Sequence, residues 1–287
     1  MSQPPRAIAP SWPDYQLIDA GGGKKLERWG KVITIRPDIQ AYFHSGKPFT
    51  EWKEVAHWEY TEIPGKNGRW KALKADAPAE WQISFGRLKF NLGTSTFKHV
   101  GLFPEQAINW AHIDEHVQSE DKFLNLFAYT GAASCMARLK GADTFHIDSS
   151  KSILNWASNN MDASRLLNIH WVLEDALKFA EREARRGRKY DYILMDPPAW
   201  GNGVKGEKWK LEDHIAEMMH YVLQLLNPKQ HLLILNAYSL GFSALITHNL
   251  LYPYAKLHSS AFDCGELWVP STSGLQLPLG VWGSLEK

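Results

Sequence analysis

The rhythm of hydrophobic and polar positions changes near residue 120. Before it, short runs rich in β-branched and aromatic residues alternate with turn segments. Leu26–Ile35, Val55–Ile63, Arg69–Leu73, Trp81–Phe85 and Leu88–Leu92 read as strands. Gly21-Gly22-Gly23, Pro64-Gly65-Lys66-Asn67-Gly68 and Gly86-Arg87 read as the turns between them. Together they predict a small antiparallel β unit. Pro104–Val117 has helical spacing, with Ile108, Ala111 and His112 on one side, and bridges the two parts of the chain.

After residue 120 the pattern becomes strand, turn, helix, repeated. Strands are expected at Phe123–Phe127, Thr144–Ile147, Ile169–Leu173, Tyr190–Met195 and His231–Asn236, with further ones near Lys256–Phe262 and Leu277–Trp282. Helices are expected at Ala132–Lys140, Ile153–Met161, Ala176–Arg186, Leu211–Leu226 and Gly241–Leu251. Short, nearly all-apolar strands alternating with helices mean a parallel sheet covered on both faces. With right-handed crossovers this is a doubly wound α/β fold. The expected division is 1–95 for the β-rich N-terminal domain, 96–120 for a connecting segment with a helix, and 121–287 for the α/β domain.

Composition narrows the picture. Of 287 residues, 44% are apolar and 22% charged, which supports a buried core and excludes a disordered chain. No stretch approaches the roughly 20 apolar residues that span a bilayer. The Met1–Pro13 segment has no apolar core of the signal-peptide type. Two cysteines, Cys135 and Cys264, are too few for a disulfide framework or a structural zinc site, so no metal is expected and a cytoplasmic protein is the plain reading. A net charge of +1 gives no global electrostatic case for nucleic acid. Local clusters exist at Lys24, Lys25, Arg28 and Lys31, and at Arg182, Arg185, Arg186, Arg188 and Lys189; the second reads as the solvated, cation-rich end of a helix. Most of the thirteen Trp read as core or sheet-face residues.

In such sheets ligands sit at the carboxyl ends of the strands, so the informative residues are those directly after each strand. After the first come Ala128-Tyr129-Thr130-Gly131-Ala132, where Gly131 lets backbone approach a ligand at a helix N-terminus. The three-glycine dinucleotide fingerprint is absent, which argues against an NAD enzyme. Asp148 comes after the second strand; it is placed either to accept from the two hydroxyls of a ribose or to cap the next helix with Ser149 and Ser150. Glu174-Asp175-Ala176 after the third strand carries the same pair of readings. The fourth strand stops at Asp196-Pro197-Pro198-Ala199-Trp200. Two prolines directly after a buried strand fix a carboxylate and its neighbouring carbonyls rigidly, with an aromatic close enough to stack on a planar acceptor. A strand terminator with a packed Trp is the weaker reading of that set. The glycine-rich segment Gly201–Glu207 could fold over the acceptor, with Lys205 meeting a phosphate or carboxylate, or be a solvated loop.

Leu124-Asn125-Leu126-Phe127-Ala128-Tyr129-Thr130-Gly131, Asp148-Ser149-Ser150, Asp175-Ala176 and Asp196-Pro197-Pro198-Ala199-Trp200 resemble the motifs of class I S-adenosylmethionine (SAM)-dependent methyltransferases, in the branch containing bacterial large-subunit ribosomal RNA base methyltransferases. Gly101-Leu102-Phe103-Pro104-Glu105-Gln106 resembles a segment that precedes the cofactor motif there, and the resemblance covers roughly residues 95–260. It implies a Rossmann-like seven-stranded sheet whose last strand is antiparallel, and SAM as cofactor. It also implies that the turn at Gly131 faces the methionine part, Asp148 the ribose and Asp175 the adenine. Cofactor contacts are implied at Phe103, Gln106, Asn125, Phe127, Ala128, Tyr129, Thr130, Gly131, Asp148, Ser149, Ser150, Asp175, Ala176 and Asp196. Asp196, Pro197, Pro198 and Trp200 are implied at the methyl-transfer centre.

Three departures stand out. The first motif has Tyr129-Thr130 and one glycine in place of a glycine-rich run. The small RNA-binding domain often fused at the N-terminus of such enzymes is not apparent. No cysteine stands in Asp196–Trp200 or in Asn236-Ala237-Tyr238-Ser239, where relatives that methylate cytosine C5 carry the thiolate that adds to the base. Attack by a nitrogen or other lone-pair atom is therefore expected. RNA, ribosomal first, is the expected acceptor, with no membrane partner. A protein or small-molecule methyltransferase, and a catalytically inactive cofactor-binding RNA or assembly factor, are the alternatives.

Overall fold

A computed structural model describes residues 6–8, 12–63 and 65–287. Most of the Met1–Pro13 segment and Pro64 of the turn at 64–68 lie outside the described residues. The chain divides into two compact units, a smaller one on Ile8–Ala107 with Trp268–Leu279 and a larger one on Ile108–Leu267 with Gly280–Lys287. The expected division at 1–95, 96–120 and 121–287 lacks the return of residues 268–279 to the smaller unit. The short strand β1 (Arg6–Ile8) lies at the edge of the sheet of the larger unit.

In the smaller unit, β2 (Tyr15–Gly21), β3 (Lys24–Trp29), β4 (Val32–Pro37), β5 (Trp58–Ile63) and β6 (Lys66–Ala72) form one sheet in that order. β7 (Glu80–Phe85) and β8 (Leu88–Gly93) form a separate hairpin. The expected single strand Leu26–Ile35 is two strands. Gly30, at φ 62°, turns the chain between them, a conformation that costs a side-chain-bearing residue dearly. The expected strand start at Val55 is the end of α1 (Phe49–Val55), and β2 has no counterpart in the sequence reading. The sheet is not wholly antiparallel, since β4 and β5 run parallel across α1. One buried carboxylate holds this region: Asp19 accepts from Gly46 N–H (3.1 Å), Lys47 N–H (2.8 Å), Trp52 Nε1 (3.1 Å) and Ser273 Oγ (2.7 Å). Within the early basic cluster Lys31 is exposed, but two of the other cations are paired. Lys24 pairs with Glu59 at 2.9 Å, and Lys25 is buried between Glu27 and Asp38.

The larger unit opens with α2 (Ala107–His116). Its buried side carries Ala107, Trp110 and Ile113, whereas Ala111 is exposed, so the face expected from Ile108, Ala111 and His112 is corrected. Next come β9 (Lys122–Leu126), α3 (Ala132–Leu139), β10 (Asp143–Asp148), α4 (Lys151–Ala163), β11 (Ile169–Leu173), α5 (Ala176–Arg185) and β12 (Tyr192–Met195). Two three-residue strands, β13 (Trp200–Asn202) and β14 (Lys208–Lys210), precede α6 (Leu211–Leu225), β15 (Leu232–Ala237), α7 (Ala244–His258), β16 (Ala261–Pro270) and β17 (Gln276–Glu286). Of the segment Lys256–Phe262, near which a strand is expected, Lys256–His258 end α7 and the strand β16 begins only at Ala261.

The sheet order is β1-β16-β17-β15-β12-β9-β10-β11. Apart from the edge strand β1, this is the expected seven-stranded sheet, with β17 antiparallel to β15. β12 and β15 are buried along their whole length because helices cover both faces. The chain winds from β9 through α3 and α4 to β11, then reverses to β12 through α5. With right-handed crossovers that reversal puts α5 and α6 on the opposite face from α3 and α4. The core between α5, α6, α7 and the sheet holds Phe179, Met218, Val222, Leu233, Leu235 and Leu251. Register places Leu126, Ile147 and Met195 side by side, so the loops after β9, β10 and β12 share one edge.

Candidate functional site

That edge is the carboxyl end of the parallel strands, and the turn after β9 sits at the point where the winding reverses. Phe127 and Tyr129 both lie in the left-handed region, at φ 56° and 49°. Each costs roughly 1–2 kcal/mol for a residue with a Cβ, so the surroundings must hold them there. Ala128 N–H donates to Ile147 O (3.0 Å), and Tyr129 N–H donates to Asp148 Oδ2 (3.0 Å). Asn160 Nδ2 donates to the Thr130 carbonyl at 2.9 Å. Gly131 has φ 84°, and a Cβ there would meet the Ala157 Cβ at 3.0 Å, so glycine is required for both conformation and the approach of α4.

Beneath the turn is a buried polar chain. Asn125 Nδ2 donates to Ser134 Oγ (2.9 Å), which lies 3.0 Å from His146 Nδ1. Burial pushes the His146 pKa down to about 3, the Tyr129 backbone acting the other way, so the imidazole is neutral and can accept from Ser134. Asn125 thus spends its amide inside the protein and positions the strand from which the turn springs.

Asp148 spans the ends of two strands. Its Oδ2 takes Tyr129 N–H and its Oδ1 takes Ser150 N–H at 2.8 Å. Burial raises its pKa and outweighs the lowering by backbone N–H groups of Ser150, Tyr129 and Ser149. One strand further, Glu174 N–H donates to the Asp148 carbonyl (3.1 Å), and the Glu174 carboxylate pairs with Arg182. Asp175 caps α5 by accepting from Lys178 N–H at 3.0 Å, and Ala176 is buried behind it.

β12 stops at Asp196, whose N–H reaches Leu126 O at 3.4 Å. Pro197 is buried and Pro198 exposed. The Pro198 carbonyl accepts from Trp209 Nε1 at 2.7 Å, and the Trp209 ring packs on Phe127 with centroids 4.8 Å apart. Trp209 therefore joins the turn after β9 to the turn after β12. Trp200 is 74% exposed, so it is no core packing residue. Gly201–Glu207, expected as a loop, lies largely in the β13–β14 hairpin.

The structure brings the expected residues Phe127 to Gly131, Asp148 to Ser150, Asp175, Ala176, Asp196 to Pro198 and Trp200 to one edge of one unit. Phe103 and Gln106 belong to the smaller unit, where the Phe103 ring packs near His99. Cys135 is buried in α3, where burial pushes its thiol up to about 12. Cys264 is in β16 and is also raised, by burial and then by Asp263. Ser134, His146, Asn160, Lys178 and Trp209 are not singled out by the sequence, and Glu207 enters only as the end of the segment Gly201–Glu207. Of these only Trp209, the inward position of Lys208-Trp209-Lys210, carries a visible signal. Among the described residues no cluster of three or more His, Cys, Asp or Glu could hold a metal, and no helix is long and apolar enough to cross a membrane.

A family model described as conserved hypothetical protein 95 matches residues 105–221. Among curated proteins, a ribosomal RNA large subunit methyltransferase K/L of Pseudoalteromonas translucida is 33% identical over 52% of this chain and 21% of its own length. One from Chromohalobacter salexigens is 30% identical over 70% of this chain and 24% of its own. The chain thus spans about a quarter or less of these curated relatives. A crystal structure of a SAM-dependent methyltransferase from Agrobacterium tumefaciens is 35% identical, covers 99% of this chain and 93% of that one, and superposes with a TM-score of 0.92. With that likeness over nearly both whole chains, and the motifs gathered at one sheet edge, the chain belongs to the SAM-dependent methyltransferases.

Proposed function

We propose that this chain transfers a methyl group from SAM to a nitrogen, or another lone-pair atom, of a base in RNA, with ribosomal RNA as the acceptor and the cytoplasm as its place of work. The observation that carries the choice of atom is the rigid Asp196-Pro197-Pro198 end of β12 beside the turn after β9, with both cysteines on other elements. The names of the partial curated relatives support RNA as the acceptor.

The residues fit the cofactor. Each Asp148 oxygen already takes one backbone N–H and keeps a lone pair, so a vicinal diol can donate to both. The turn Phe127–Gly131 opens on the N-terminus of α3, whose first N–H groups suit a carboxylate. Asp175 stands where an adenine amino group would be met. SAM, when bound, supplies the electrophilic methyl on its sulfonium. Asp196 and the carbonyls fixed by the two prolines orient the acceptor against it, and Asp196 can take a proton where the attacking group carries one. Trp200 offers its exposed face to stack on the base, a contact worth roughly 1–3 kcal/mol in other base-binding proteins.

The test is incubation of the full chain with methyl-labelled SAM and either total RNA or total protein. Label in RNA, recovered as an N-methylated base after digestion, is expected. Label in protein alone, or no label with intact SAM binding, would favour the alternative acceptors or the inactive factor respectively.

A further inference from the structure

Building on that cofactor reading, we infer that the β13–β14 hairpin is a latch over the adenosine end of the cleft, not over the acceptor, with Lys178–Glu207 as its clasp. The hairpin leaves β12, the strand of Asp196, yet its tip crosses the end of β9 to reach β10 and β11. Strand spacing makes that a span of roughly 10–15 Å. Ser149 Oγ donates to the Asn202 carbonyl at 3.0 Å, one residue past Asp148. Lys178, in the first turn of the helix that Asp175 caps, pairs with Glu207 at 2.5 Å. A Cβ on Gly203 would lie 3.0 Å from Asp175 Oδ2, so the tip rests directly against that carboxylate. These contacts go to the two strand ends assigned to ribose and adenine.

The hairpin is anchored at its base and releasable at its tip. At the base, Leu211 N–H donates to Ala199 O (2.9 Å) and Trp209 Nε1 to Pro198 O (2.7 Å). The tip holds by one hydroxyl and one ion pair, and the Lys178 side chain is 54% exposed. The hydrogen bond from Lys178 holds the Glu207 carboxyl down to about 2, so the clasp is closed throughout the neutral range. Salt rather than neutral pH should loosen it. Gly201, Gly203 and Gly206 let the backbone turn when it opens.

The experiment measures release of S-adenosylhomocysteine, the demethylated product, from the full chain by stopped-flow displacement. Glu207→Gln and Lys178→Met should each speed release roughly two- to fivefold, the reach of an exposed ion pair. The charge swap Lys178→Glu with Glu207→Lys should restore slow release, which ties the effect to the pairing of the two charges and not to either side chain alone. Gly203→Val, whose side chain collides with Glu207 and Asp175, should release as fast as the single charge variants. High salt should speed release from the parent chain and leave Glu207→Gln unchanged. Unchanged release in the variants overturns the latch while leaving the cofactor reading intact. Slower release overturns it in favour of a tip that competes with the ligand. A parent chain that does not bind S-adenosylhomocysteine overturns the cofactor reading and the latch with it.

Discussion

Replacing Asp148 with Asn separates the two tasks that its carboxylate performs. Without ligand it ties Tyr129 N–H and Ser150 N–H, at 3.0 and 2.8 Å, and so holds Tyr129 at a left-handed φ of 49°. Asn keeps one acceptor and sets an amide NH₂ against the other N–H. The lost hydrogen bond to a charged group is worth about 1.5–3 kcal/mol, and relief of the buried charge offsets part of it. Unfolding free energy without ligand should therefore fall by only about 1–2 kcal/mol. Affinity for SAM should fall further, by about 10- to 100-fold, because one ribose hydroxyl then meets a donor. The sign of the pH dependence sharpens the test. Burial raises the folded pKa of Asp148, so the folded state holds this proton more tightly than the unfolded chain. Its contribution to stability is present below the unfolded carboxylate pKa and is lost as pH rises through the folded one. Ligand affinity, which needs the ionised acceptor, rises over the same window. Denaturant titrations and calorimetric binding from pH 4 to 7 should show these opposite slopes in the parent chain, and Asp148→Asn should reduce both. Unchanged affinity with reduced stability would show that the carboxylate is only a tie between turns.

Three further outcomes are expected. Gly131→Ala should cost about 2–4 kcal/mol in urea denaturation, from a left-handed Cβ and the 3.0 Å contact with Ala157; a loss below about 0.5 kcal/mol would mean the turn relaxes freely. Trp209→Phe keeps an aromatic against Phe127 but leaves the Pro198 carbonyl without its donor, so kcat should fall more than SAM affinity when turnover and binding are measured together; equal losses would remove Trp209 from the acceptor side. The double change Cys135→Ala and Cys264→Ser should retain methyl transfer in the labelled-SAM assay, because the buried Cys135 thiol is raised to about 12 and Cys264 is raised as well; a folded, inactive double variant would restore the cysteine route.

The larger unit is legible in the sequence because its strands are buried on both faces. Runs such as Phe123-Leu124-Asn125-Leu126 and Tyr192-Ile193-Leu194-Met195 need no partner information to be read, and the first leads to a helix stopped at Gly141. Legibility fails where local pattern and tertiary context part. Leu26–Ile35 looks continuous because Gly30-Lys31 is too short a break to interrupt a β-rich window, yet Gly30 at φ 62° folds it into a hairpin. Phe49–Val55 becomes a helix by burying Trp52 against Leu26 and Ile35, a contact no window of the sequence contains. The strand expected near Lys256–Phe262 begins only at Ala261 because α7 continues through Pro253 to His258.

At the site, the sequence supplies residue types but not their division of labour. Asp148 is equally readable as a helix cap and as a ligand acceptor. Ser150, the residue at the N-cap of α4, makes no side-chain cap bond, and Asp148 reaches instead to Tyr129 on the neighbouring turn. Asp175, given the same pair of readings, does cap its helix, through Lys178 N–H. The difference arises from where each loop goes after its strand, which one-dimensional pattern does not record. Trp209 makes the same point. Its short strand is only three residues long, too short for alternation to stand out, so nothing marks it beyond an apolar position between two lysines. Its indole nonetheless links Pro198 to Phe127, and so couples the end of the strand that carries Asp196 to the strained turn above α3. A group that only bridges two motifs has no motif of its own, and it becomes visible when both ends are placed.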